Sequence, residues 1–154
     1  RELEELRHDK VAYENVTLKD TTIRLDGING RRVDMELTLR PGDDEKLYQK
    51  FWIRFAQDEK YFTSLSFRPH ESLLKVDRKF SGSRRAIIHQ RRSLVRSEKG
   101  QIKLRIILDN FSMEVFVNDG EHVMAATVHT DLSADGISFV ADGAVTMDIV
   151  KYNL

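Results

Sequence analysis

The sequence predicts an antiparallel all-β domain, a two-sheet, jelly-roll-like β-sandwich behind a short N-terminal helical linker. Apolar residues recur with a period of two through most of the chain. Turn residues (Gly, Asn, Asp) interrupt that alternation about every eight to twelve positions, which is sandwich spacing. Beyond the first few residues no segment sustains a long helical period. A chain of 154 residues with 40% hydrophobic content and eight Phe can bury a core. At this length roughly two-thirds of the unfolded surface is removed from water on folding.

The first seven residues, RELEELR, place Leu3 and Leu6 three apart with Glu2, Glu4 and Glu5 turned outward. One or two helical turns are too short to stand alone, so this piece is expected to dock as a linker. We place it at residues 1–10 and the sandwich at 11–154. From about Val33 the period is two: Val33, Met35, Leu37 and Leu39 alternate with Asp34, Glu36, Thr38 and Arg40. Pro41-Gly42-Asp43-Asp44 closes that strand with turn chemistry. Leu47 to Gln57 puts Phe51, Ile53 and Phe55 on one face and Trp52, Arg54 and Ala56 on the other, and Tyr61, Thr63, Leu65 and Phe67 repeat the pattern before Pro69.

Ser83 to Lys99 has no clean period. Ile87 and Leu94 would suit a helix, while Ala86–His89 and Ser93–Val95 would suit two short strands about a turn; extended chain with an irregular loop is expected. Ile102, Leu104, Ile106 and Leu108 form the next strand, followed by Met113, Val115 and Val117. Asn118-Asp119-Gly120 tolerates positive φ and predicts a tight hairpin, with Val123 to His129 as its return strand. Gly136–Ala141, an Asp142-Gly143 turn and Ala144–Tyr152 read as a last hairpin. The total is about nine to eleven strands.

Composition removes many functions. Lys+Arg 25 cancels Asp+Glu 25, so no whole-domain field exists to hold nucleic acid or an anionic membrane, and neither is expected as a partner. Zero Cys rules out disulfides, thiolate metal sites and a Cys nucleophile. No apolar run approaches the ~20 residues that cross a bilayer. RELEELR lacks the apolar core of a secretory signal, which with the missing Cys leads us to expect a cytoplasmic protein, a secreted one being the alternative. Arg1 stands where an initiating Met would, so further sequence is expected upstream.

Local chemistry is thin. Lys75 to Lys99 carries nine Lys or Arg against Asp77 and Glu98, but Phe80 is its one aromatic, and base-stacking platforms need more. A face for an acidic partner surface, or a solvated edge, explains it better. His8, His70, His89, His122 and His129 form no metal-ligand spacing, and neither metal nor cofactor is expected. Asp109 with Glu114, and Asp119 with Glu121, resemble the paired carboxylates of a glycosidase, yet strand-end and turn positions explain them without catalysis. Ser112, Ser133 and Ser138 lack a nucleophile-elbow setting. Asn15-Val16-Thr17 and Asn110-Phe111-Ser112 match the N-glycosylation pattern, which is short and frequent by chance.

The stretch LRIILDNFSMEVFVNDGE, Leu104 to Glu121, resembles the C-terminal β-sandwich of glycoside hydrolase family 32, which holds invertases, sucrose-6-phosphate hydrolases and levanases. Asp109, Ser112, Glu114, Val115, Phe116, Asn118, Asp119, Gly120 and Glu121 stand at the family's pattern positions; Asn110 and Phe111 depart from its commoner Arg-Ser. Val76-Asp77-Arg78 with Phe80-Ser81-Gly82 is similar to an element upstream, RELEELR to the linker, and DGISFVADGAVTMDIVKYNL to the closing strands. The resemblance implies a parent enzyme whose five-bladed β-propeller carries the catalytic Asp and Glu residues in motifs absent from this chain. It therefore implies a non-catalytic module with no catalytic residue of its own. That module would stabilise the propeller, touch a fructoside substrate only through the parent, and leave a homo-oligomer contact as a further role. Asp109, Ser112, Glu114, Phe116, Asn118, Asp119 and Gly120 would be structural motif residues. The alternative is a stand-alone carbohydrate-binding, lectin-like sandwich using Trp52, Tyr48 or Tyr61 as a stacking platform.

Overall fold

The computed structural model describes residues 2–44, 46–78, 90–128 and 130–154. A single helical turn, α1 (Glu2–Glu5), leads into ten strands. These are β1 (His8–Ile23), β2 (Arg32–Pro41), β3 (Lys50–Gln57), β4 (Thr63–Arg68) and β5 (Leu73–Asp77), then β6 (Gln90–Leu94), β7 (Ile102–Asp109), β8 (Ser112–Val117), β9 (His122–Thr127) and β10 (Gly136–Asn153). Every pairing among them is antiparallel. Along the hydrogen-bonded path the order is β6-β5-β4-β3-β10-β2-β7-β8-β9, with β1 on the other side of β10.

β10 belongs to both wings. Its first part pairs with β3, from Gly136↔Gln57 to Asp142↔Lys50, and its second part with β2, from Val145↔Pro41 to Asn153↔Val33. The outermost strands β6 and β9 come into contact, so the wings close over one core as a sandwich. The alternating apolar residues fill it. Val33, Met35, Leu39, Ile53, Phe55, Ile106, Leu108, Val115 and Val117 are all fully buried, and the Phe51 and Phe139 rings stack at 6.5 Å.

The expected last hairpin does not form. Both halves of β10 pair with β1 instead of with each other, and β10 accommodates one extra residue between Lys19↔Ala144 and Thr21↔Ala141. Asp142-Gly143 is thus a bend within a strand, where β10 leaves β3 for β2. Gly143 has φ +98°, and a Cβ there would lie 2.8 Å from the Tyr48 Cα. Its N–H donates to Asp20 Oδ1 at 2.7 Å. Tyr48 is itself fully buried, donating its hydroxyl to the Gly100 carbonyl at 2.7 Å, and burial pushes that phenol well above its ordinary pKa. It cannot be an exposed sugar platform.

β1 carries almost no apolar alternation. Leu18 is its one fully buried residue, and register shifts at three places break its period. It stays invisible to periodicity because those shifts break the phase: Val11, Tyr13, Val16 and Ile23 pack half-buried against the core without keeping one alternation. The helical turn ends at Glu5 and β1 begins at His8, within the span assigned to the linker. In the ambiguous stretch, β6 takes up Ser93 and pairs with β5, while Ala86–His89 lies outside the described residues.

Arg31 ties the loops at one end of the sandwich. It is 6% exposed and donates from Nε and Nη2 to the Asn110 carbonyl and from Nη1 to the Asp131 carbonyl at 2.6 Å. Burial lowers its pKa despite Asp131 and Asp135 nearby.

Gly143→Ala should cost about 2–4 kcal/mol in urea denaturation, from positive φ plus the clash with Tyr48. Acid should destabilise the fold in a defined direction. Backbone N–H donors from Tyr61 and Ser133 hold Asp58 and Asp131 below the usual carboxylate range, and Arg40 does so for Asp148. Their folded pKa values lie under the unfolded ones, so this stability is complete above about pH 4 and declines as pH falls through the folded values. Urea midpoints measured from pH 6 to pH 2.5 check the sign.

Candidate functional site

The pleat turns Asp34, Glu36 and Thr38 of β2, Lys103, Arg105, Ile107 and Asp109 of β7, and Ser112, Glu114 and Phe116 of β8 to the outer face of one wing. All the singled-out motif residues lie on this face or on its hairpin loop. Asp109 and Ser112 face each other across the Asn110-Phe111 turn, where Asn110 takes φ +50°. The Ser112 hydroxyl donates to the Asp109 carbonyl at 3.2 Å, and Asp109 Oδ1 is 3.4 Å from Arg32 Nε. Glu114 is exposed beside Ile107 and Ala125. Phe116 is half-buried between Arg105 and Val123.

The 118–121 loop is a local lock on β7. Asn118 donates its N–H to the Lys103 carbonyl at 2.9 Å and accepts the Lys103 N–H on Oδ1 at 3.1 Å. Asp119 Oδ1 accepts from Lys103 Nζ at 2.9 Å, which raises the lysine pKa. Asn118, Asp119 and Gly120 all have positive φ. A Cβ at Gly120 would meet nothing within 4 Å, so its φ of +94°, not crowding, calls for glycine there. Glu36, Lys103, Arg105, Phe116, Asp119 and Gly120 line an open depression of about 260 Å³. A second hollow of about 630 Å³ continues past Lys103 and Asn118 to Arg96, Glu98 and Glu121.

The same face holds a buried ion cluster that sequence reasoning missed. Asp34 has an outward position in the alternation and yet no exposure. Arg7 Nε donates to its Oδ2 at 2.8 Å, while Arg105 donates from Nε to Oδ1 at 3.1 Å and from Nη2 to Oδ2 at 2.8 Å. The bond to Asp34 raises the Arg105 pKa. Arg7 also lies 4.6 Å over the Tyr152 ring and 3.6 Å from Glu36. The expected docking of the lead-in thus has a chemical basis, a guanidinium inserted over a sheet carboxylate. Nothing local marks Asp34 as buried, because its partners are 27 and 71 residues away.

These groups suit packing better than bond-making. Asp109 is engaged by Arg32 and Asp119 by Lys103, and both acids, like Glu114, are exposed. Among the described residues no three His, Cys, Asp or Glu side chains group to hold a metal ion, and no helix is long and apolar enough to cross a membrane.

The family model described as glycosyl hydrolases family 32 C terminal matches residues 2–154. This chain belongs to that family. A probable sucrose-6-phosphate hydrolase of Vibrio cholerae is 30% identical over 138 residues, covering 90% of this chain and 22% of that protein. The levanase of Bacillus subtilis (strain 168) is 28% identical over 153 residues, covering 94% of this chain and 22% of the levanase. The chain spans about a fifth of these relatives' length. Among solved structures, sucrose-6-phosphate hydrolase from Lactobacillus gasseri superposes with a TM-score of 0.76 at 20% identity, over 99% of this chain and 29% of that one. Exo-inulinase from Aspergillus awamori gives 0.76 at 16% identity, over 99% and 31%. These structures share the fold, and the family 32 C-terminal domain is accordingly a β-sandwich here too.

Removing the carboxylate from between two guanidinium groups should be costly. Asp34→Asn is expected to lose about 2–4 kcal/mol of stability. A double-mutant cycle with Arg7→Gln should show a coupling above about 1 kcal/mol, measured by denaturant titration.

Proposed function

We propose that this family 32 domain is the non-catalytic C-terminal module of a retaining β-fructofuranosidase acting on sucrose or sucrose 6-phosphate. Its role is to pack against and stabilise a catalytic β-propeller preceding it. The observation that carries this reading is the family match over the chain's length combined with coverage of only 22% of the sucrose-6-phosphate hydrolase relative. The docked lead-in supports it, since Arg7 and Asp34 fix the direction in which preceding chain would leave the sandwich.

Chemistry supports the non-catalytic part. Retaining hydrolysis needs a nucleophile and an acid/base about 5 Å apart on a rigid scaffold. The motif acids are solvent-facing and serve turns and surface ion pairs. A cytoplasmic location goes with this reading through the Cys-free composition. The lectin-like alternative loses one platform in Tyr48, which is buried.

The 154-residue chain should release no fructose from sucrose or sucrose 6-phosphate, whereas a polypeptide carrying the upstream region should. Hydrolysis by the chain alone, abolished by Glu114→Gln or Asp109→Asn, would overturn the assignment.

A further inference from the structure

The opposite wing presents a different surface. The outer face of β3, β4 and β5 carries Lys50, Trp52 and Arg54, then Ser64, Ser66 and Arg68, then Lys75 and Asp77. Register sets Trp52, Ser66 and Lys75 in one row, and the Phe51↔Phe67 pair puts Lys50 beside Arg68 in the next. Adjacent strands are about 4.8 Å apart, so three cationic side chains start from one small patch on three neighbouring strands.

That patch is undercompensated. No carboxylate lies within ion-pair distance of Lys50 or Arg68 among the described residues; Asp77 stands 3.9 Å from Lys75, and Asp142 of β10 is the register partner of Lys50. Lys50 is half-buried over Trp52. Burial, then repulsion from Arg68 and Lys75, lowers its pKa against the opposing pull of Asp77. At the centre Ser66 is 3% exposed. A crowd of like charges is costly.

We propose that Lys50, Ser66, Arg68 and Lys75 form a binding site for a phosphate monoester dianion, with Trp52 beneath the ligand's organic part. Two negative charges on three equivalent oxygens match several donors converging from different strands. A monocarboxylate would leave most of these cations unrelieved, and an extended acidic surface would call for a stripe rather than a cluster around one hydroxyl. Lys50 leaves the indole face to reach the phosphate, exposing an aromatic surface for C–H contact. The site lies on the wing opposite the docked lead-in and does not depend on the function proposed above.

Trp52 is the chain's single tryptophan, so intrinsic fluorescence reports this patch directly. The 154-residue chain is titrated with glucose 6-phosphate, inorganic phosphate and glucose at ionic strength held constant with potassium chloride. Expected is a saturable fluorescence change with glucose 6-phosphate, a weaker one with inorganic phosphate, and none with glucose or chloride. Lys50→Gln and Arg68→Gln, each checked for an unchanged circular dichroism spectrum, should weaken binding about tenfold, while Lys19→Gln on β1 should not. Absence of a saturable response to both phosphate ligands overturns the site, as does equal affinity in the Lys50 and Arg68 variants. Inorganic phosphate binding as tightly as the ester overturns the part given to Trp52.

Discussion

The architecture depends on one strand satisfying three neighbours. β10 gives one edge to β1 along its length and divides the other between β3 and β2. A strand can do this only if it bends without losing its ladder, and the bulge at Asp142-Gly143 is where it does so. Gly143 takes the left-handed φ, Asp20 caps its N–H, and Tyr48 fills the space a side chain would need. From there the two wings diverge and then close on each other at β6 and β9. The core is what the wings enclose.

The parts of this fold that burial holds were legible in the sequence. β2, β3, β4, β7 and β8 each alternate apolar and polar residues and lie where the alternation puts them. The exception is Ala56, expected on the outer face with Trp52 and Arg54, which is fully buried at a bulge of β3 where its φ is +47°. The Asn118-Asp119-Gly120 loop announced itself because positive φ restricts residue choice. β1 was not legible, since its register shifts carry the inward side from Val11 and Tyr13 to Val16 and Leu18 and so break the alternation. The β10 bend mimicked a turn because Asp-Gly suits both a reversal and a bulge, and only the pairing partner distinguishes them. Asp34 and Arg31 are hidden for a similar reason. A buried charge is recognisable only with its partners, and those are remote in sequence.

The family motif is built into the β7–β8 turn and the loop that follows β8. Asp109 and Ser112 shape the β7–β8 turn, and Asn118 and Asp119 clamp the next loop to Lys103. The carboxylates that look like catalytic candidates in one dimension lie on an exposed face, Asp109 beside Arg32 and Asp119 against Lys103. Charge is also segregated. The wing bearing the motif mixes acids and bases around Asp34, whereas β3, β4 and β5 present mainly cations outward. A net charge of zero concealed that asymmetry.

The shared strand has a consequence for biosynthesis. β10 follows every other strand in the chain, yet both half-sheets need it as their hydrogen-bonding centre. Nascent polypeptide emerging from the ribosome can form the local hairpins β3–β4 and β7–β8, but it cannot join them until this segment has been translated. A premature stop before Gly136 would leave two separate ribbons with unpaired inner edges, a substrate for proteases and aggregation instead of a shortened domain.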